Sequence, residues 1–235
     1  MKRNLTFLLA GIMMLTLAAC GNSAPAESAS EGDSKTANST NVQTEPTAPV
    51  EDTAKAEQTE GGSHMLVAYF SLAGEQYGVG VIEEGNTSII AHMIAEQTGV
   101  DLFEIEAVTP YPASHSELLE VSQQEMADNA RPEIAGTVDN MQDYDTIFIG
   151  YPNWWGDMPM IVYNFLESYD LSGKTIVPFC THGGSGLSNT ESTIADITGG
   201  TMKDGFAIAG TTAQNDRDTA RSEVTKWLKE GGFVE

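Results

Sequence analysis

Three short stretches of this chain carry residue types that could do chemistry on a bound ligand. The first runs Ser71-Leu72-Ala73-Gly74-Glu75-Gln76-Tyr77 and continues to Gly85-Asn86-Thr87. Hydroxyls, glycines and the unpaired N–H groups of a helix start make an anion site that needs no lysine. The plainer alternative is a helix cap. The second is Tyr151-Pro152-Asn153-Trp154-Trp155-Gly156-Asp157-Met158. Two adjacent tryptophans in a loop bounded by proline and glycine are hard to bury together. One folded back over the core accounts for one of them, and an exposed partner suits stacking on a flat ring system. Trp155 is the expected stacking residue. The third is Thr181-His182-Gly183-Gly184-Ser185-Gly186. Its glycines let backbone groups approach a ligand closely, and Thr181 and Ser185 supply hydrogen bonds.

The elements around these stretches must bring them together. Leu66 to Phe70, Thr146 to Tyr151 and Thr175 to Cys180 are continuous apolar runs, as in strands covered on both faces. Phe103, Ile105 and Ala107 alternate with Glu104 and Glu106, the pattern of a half-exposed strand, and Phe206 to Ala209 adds a fifth. Between them fall five helical patterns. The first, capped by Asn86 or Thr87, carries Ile89, Ile90, Met93 and Ile94 on one face and ends at Gly99. A second holds Leu118 and Met126, and a third follows Pro159. A fourth contains Ile194 and Ile197, and the last contains Val224 and Trp227.

Five strands alternating with five helices predict an α/β fold: a doubly wound five-stranded parallel sheet, order 2-1-3-4-5, with helices on both faces. Strand two is then an edge, which fits its alternating glutamates. Pro178 in strand four removes a ladder donor from an interior strand, so a bulge or a strand end is expected there. The three stretches all follow carboxyl ends of strands, where ligands of open α/β sheets bind.

The rest of the chain bounds the answer. Of 235 residues, 34 are acidic and 11 are Lys or Arg, a formal net charge of -23. No basic footprint for nucleic acid exists. Residues 1–20 read as an export signal: Lys2 and Arg3, an apolar run from Leu5 to Ala19, then Leu17-Ala18-Ala19-Cys20. That ending resembles a bacterial lipobox, in which Cys20 is acylated and anchors the protein outside the cytoplasm. Residues 21–64, rich in Ser, Thr, Ala, Glu, Pro and Gly, lack any apolar period and read as a disordered acidic tether. The folded domain is 65–235. Cys20 and Cys180 are the only cysteines, too few for a disulfide framework or a four-ligand zinc site.

The loops of this domain resemble the flavodoxin family. Tyr-Phe-Ser-x-x-Gly stands at 69–74, Gly-Asn-Thr at 85–87, Tyr-Pro-x-Trp-Trp-Gly-x-Met-Pro at 151–159 and Thr-His-Gly-Gly-Ser-Gly at 181–186. The resemblance covers most of 65–235 and implies a noncovalent FMN. Its phosphate would sit on Ser71, Gly74, Asn86 and Thr87. Its ring would lie between Pro152, Asn153, Trp154, Trp155, Gly156 and Met158 on one side and Thr181, His182, Gly183, Gly184, Ser185 and Gly186 on the other. One departure is plain: residues 75–85 intervene between Gly74 and Asn86, where simple flavodoxins enter the helix directly. The expected function is electron transfer outside the cytoplasm, to a redox partner protein or a small-molecule acceptor. The alternatives are an FMN-dependent reductase of quinones or nitroaromatics, and a lipoprotein that keeps the fold and only binds a ligand or partner. Hydrolysis is not expected, because Ser71, His182 and Asp157 lack nucleophile-elbow spacing.

Overall fold

The structure is a computed structural model, and it describes residues 64–235. The export signal, Cys20 and the tether expected at 1–64 lie outside the described residues except for His64. Five parallel strands form the central sheet: β1 (Met65–Tyr69), β2 (Asp101–Glu104), β3 (Thr146–Pro152), β4 (Thr175–His182) and β5 (Phe206–Ala209). Their pairings give the order β2-β1-β3-β4-β5, as the sequence predicts. Among the described residues six α-helices connect and follow them: α1 (Asn86–Thr98), α2 (His115–Ala127), α3 (Met160–Glu167), α4 (Thr190–Thr198), α5 (Gly210–Asn215) and α6 (Arg217–Glu230).

Period-two alternation in the strands builds two cores at once. Leu66, Ala68, Ile147, Ile149, Ile176 and Cys180 point to the face covered by Ile161, Phe165 and Ile194 of α3 and α4. Val67, Tyr69, Phe148, Val177 and Phe179 point to the opposite face, covered by Ile90 and Ile94 of α1 and by Val224 and Leu228 of α6. Each such fully buried aliphatic side chain contributes about 1.5–3 kcal/mol. A sheet gripped on both faces in this way fixes where its strand ends, and hence its loops, must lie.

Pro178 is neither at a bulge nor at a strand end. It stands inside β4, in register with Ile149 of β3. On the other side of β4, Thr201–Met202 pairs with Thr175 and Ile176, and β5 pairs only from Phe179 onward. Ile176 accepts a hydrogen bond from Lys203 N on that side (2.9 Å). Pro178, two residues on, faces the same side, into the gap between the two short segments. The neighbouring strand is interrupted where β4 has no N–H to give.

Four features depart from the expected pattern. The alternating run is not one strand: β2 stops at Glu104, and Glu106–Ala107 pairs antiparallel with Ile134–Ala135 in a separate two-stranded sheet. Gly210–Asn215 adds a helix to the five expected. Residues 75–85 are not a plain loop: Gly74–Gln76 and Gly80–Ile82 form a small antiparallel hairpin turning at Tyr77-Gly78-Val79. The start of α1 is also capped differently. Gly85, not Asn86 or Thr87, is the capping residue, with extended backbone. The capping oxygen comes from seventeen residues away, where Ser71 Oγ accepts the Ser88 N–H at 3.0 Å. A side chain at Gly85 would collide with that hydroxyl and with the Leu72 carbonyl, so the close approach requires glycine.

Candidate functional site

A cavity of about 460 Å³ opens at the carboxyl ends of β1, β3 and β4, within the size range of cofactor sites. Its lining includes Asn86 of α1, Pro152 to Gly156 of the β3 loop, and Thr181, His182, Gly183 and Ser185 of the β4 loop. Ten of the sixteen cofactor residues expected from the sequence therefore meet in one place. Ser71, Gly74, Thr87, Met158, Gly184 and Gly186 do not line it.

Those six have other tasks. Ser71 caps α1. Gly74, at φ +96°, lies so close to the Ala113 backbone that a Cβ would come within 2.8 Å of its carbonyl oxygen. Thr87 is buried, and its Oγ1 is 2.8 Å from Thr181 Oγ1, tying α1 to the end of β4. Met158 is in the core. The Gly184 N–H donates to His182 Nδ1 (2.9 Å). The Gly186 carbonyl accepts from Asn153 Nδ2 (2.9 Å), clamping the β3 and β4 loops together.

The two tryptophans separate. Trp154 is half-buried and packs edge-on against Phe70 and Tyr111, with ring centroids 5.6 Å away in both cases. Trp155 is 50% exposed. Backbone bonds in both directions between Trp154 and Asp157, at 2.8 and 2.9 Å, close a tight turn around Trp155 and Gly156. Both central residues have positive φ, +58° and +82°, as in type I′ turns. That conformation is unusual for a bulky residue and holds the indole out of the core. Its Nε1 donates to Ser122 Oγ of α2 at 3.0 Å.

Burial lowers the pKa of His182, and Nδ1 already accepts the Gly184 N–H, so the ring is held neutral with its proton on Nε2. Burial pushes the Cys180 thiol up to about 12, and its Sγ–H donates to the Gly186 carbonyl. That thiol is inert.

FMN fits these residues. Asn86 has a buried side-chain oxygen with no partner, at the cavity wall and at the start of α1. Whichever way the amide is turned, it offers an unmet hydrogen bond to a ribityl hydroxyl or a phosphate oxygen. The N–H groups of Asn86 and Thr87 precede the first intrahelical bond, Ile89 N to Gly85 O. No Asp, Glu, Lys or Arg lines the cavity, so these neutral dipoles would hold the anionic end. Nearby Glu84 turns its carboxylate to Arg217 and Ser88 instead. When bound, FMN would supply the redox chemistry, while Trp155 and the β4 loop orient and shield its ring.

Seven lining residues are not among the sixteen expected: Gln76 and Tyr77, which belong to the first stretch, and His115, Leu118, Leu119, Ser122 and Gly210, which lie outside all three. Gly210 had a detectable signal, a glycine directly after strand five. A Cβ there would come within 2.5 Å of Asn86 Nδ2.

The comparisons agree with this geometry. The family model for flavodoxin matches residues 64–230. Among curated proteins, none matches. A solved structure from Bacteroides eggerthii, assigned as a flavoprotein, is 31% identical with a TM-score of 0.57, covering 73% of this chain and 99% of its own. One from Bacteroides uniformis, similarly assigned, is 31% identical with a TM-score of 0.56, covering 72% and 99%. A flavoprotein of Lactobacillus acidophilus, solved in complex with FMN, shares the fold at 22% identity and a TM-score of 0.52, covering 71% and 99%. With the sheet order, the strand-end cavity and the match over 64–230 in agreement, the chain belongs to the flavodoxin family.

Proposed function

We propose that this chain is an FMN protein that carries electrons outside the cytoplasm, held at a bacterial membrane through acylated Cys20. FMN is its cofactor, as the family and the fit of Asn86, Trp155 and the β4 loop support. The observation that carries the reading is the uncharged cavity at the strand ends, with Trp155 held out beside it and an unmet hydrogen bond at Asn86. Its partner is a redox protein or a small-molecule acceptor. The domain 65–235 has 26 acidic and 7 basic residues, a charge of -19, which disfavours nucleic acid.

A second reading, an FMN-dependent reductase of quinones or nitroaromatics, is favoured by the half-exposed Trp155 at the mouth of the cavity. Reducing the FMN-loaded protein and mixing it with a one-electron acceptor such as ferricyanide tests the first reading. Rapid, reversible reoxidation supports a carrier. Slow transfer to ferricyanide with fast turnover of a quinone supports the reductase. The anchor is tested separately: Cys20→Ala should abolish palmitate labelling and release the protein from membranes, and unchanged labelling would refute it.

A further inference from the structure

We propose that Tyr163, backed by Arg131 and Glu167, is a positioning residue for FMN that acts through Asp157 on the turn carrying Trp155. The inference rests on the FMN reading and on Trp155 as the stacking side chain. Tyr163, Asp157, Arg131 and Glu167 all lie outside the cavity lining, so their effect on a bound flavin is indirect.

The turn needs support. Trp155 and Gly156 both have positive φ, and for a bulky side chain that conformation persists only where the surroundings over-determine it. The two backbone bonds between Trp154 and Asp157 close the turn but do not aim it. The Asp157 carboxylate does. Its Oδ1 accepts the Met158 N–H and its Oδ2 accepts the Tyr163 hydroxyl, each at 2.8 Å. Met158 is buried in the core and Tyr163 belongs to α3, so one corner of the turn is fixed to both. Burial and the neighbouring carboxylate push the Tyr163 phenol up, which keeps its hydroxyl a donor near neutrality.

Tyr163 is held in its turn. The Arg131 guanidinium lies over its ring, 5.1 Å from the centroid, and donates to both Glu167 oxygens at 2.7 and 2.6 Å. Glu167 stands one helical turn beyond Tyr163 on α3. Arg131 also donates to the Asn129 and Ala130 carbonyls just past the end of α2 (3.1 and 2.9 Å). Asn164 of α3 adds a bond to the Pro132 carbonyl at 2.7 Å. These contacts strap the end of α2 to α3. The indole is pinned from the α2 side, because Ser122 Oγ accepts its N–H and donates its own proton to the Leu119 carbonyl (3.0 Å). Trp155 is therefore aimed from two helices at once, its backbone from α3 and its ring from α2. Losing the Tyr163 hydroxyl frees the corner at Asp157 and lets the indole drift from the place where a flavin ring would stack.

The test uses the full chain, with the FMN Kd read by flavin fluorescence in four forms: the parent, Tyr163→Phe, Trp155→Ala and the double variant. Tyr163→Phe removes one oxygen and should weaken FMN about three- to tenfold. In the Trp155→Ala background the same change should matter by less than about twofold, because the residue it positions is gone. The visible bands of flavin bound to Tyr163→Phe should also move toward those in Trp155→Ala, and Arg131→Gln should act in the same direction more weakly. An unchanged FMN Kd in Tyr163→Phe would overturn the proposal. So would equal weakening with and without Trp155, which would make Tyr163 a general stabiliser of the fold. A chain that binds no FMN would instead overturn the parent reading, and one whose Trp155→Ala form binds FMN as tightly as the parent would overturn the stacking role; either result takes this inference with it.

Discussion

The cavity has two walls made in different ways. One comes from the start of α1 and the loops after β3 and β4, cross-tied by Asn153 to Gly186 and Thr87 to Thr181. The other comes from a hairpin whose second strand exposes Val81 at 82%, and from α2, where only Leu118 and Ser122 are buried. The first wall works through backbone and short polar groups whose positions the sheet dictates. The second works through side chains, which can differ without disturbing the core. The first therefore carries the groups that fit the cofactor, and the second completes the lining of the same cavity.

The sharpest way to break that contrast is at the adjacent tryptophans, one facing each way. Trp154→Ala should cost about 2–4 kcal/mol of stability, because it opens a hole beside Phe70 and Tyr111. Trp155→Ala should leave stability within about 1 kcal/mol and weaken FMN about ten- to a hundredfold. Urea unfolding and FMN titration of both variants check this, and equal effects on either axis would merge the two roles.

Next in size is the tie between α1 and β4. Thr87→Val leaves the buried Thr181 hydroxyl without its side-chain partner and should cost about 1–3 kcal/mol. Removing both hydroxyls in Thr87→Val/Thr181→Val should cost less than the two single changes together, as a urea-unfolding double-mutant cycle would show.

A smaller effect follows from His182. Its folded pKa is depressed, so the folded state prefers the neutral ring more than the unfolded chain does. The stability this gives is fully present above the unfolded value near ~6.5 and is lost as pH falls through the lower folded value. His182→Gln should flatten that part of the stability-pH curve. An unchanged slope would mean the imidazole is not held neutral.

Smallest is the effect of charge. The -19 of the domain should make the last electron hard to add to bound FMN, and salt should relieve this by screening. The lower of the two reduction midpoints should rise by some tens of millivolts, of order ~1 kcal/mol or less, between low and high salt. No response in spectroelectrochemical titration would remove surface charge from the account.

The same two walls show what could be read from the sequence. The sheet was legible because β1, β3 and β4 are unbroken apolar runs; the alternating Glu104 and Glu106 pointed to an edge, although only Glu104 falls within β2. The first wall followed from the sheet, since its loops are continuous with those strands. The hairpin was not legible: Gly74–Gln76 and Gly80–Ile82 are three residues each, glycine-rich and mostly solvent-facing, with no apolar period to announce them. Nor was α5, whose Gly-Thr-Thr-Ala-Gln-Asn has no helical pattern. His115, Ser122 and Tyr77 join the cavity only through tertiary packing. Pro178 looked like a fault in β4, because the accommodating gap lies in the neighbouring strand, more than twenty residues away.

The central claim is that this cavity holds FMN, and visible absorption tests it most directly. The full-length protein, incubated with FMN and then freed of unbound flavin, should retain close to one flavin per chain, with bands shifted from those of free FMN. Asn86→Ala should retain measurably less, because it removes the unmet hydrogen bond. A colourless protein whose addition leaves FMN fluorescence unchanged would contradict the account.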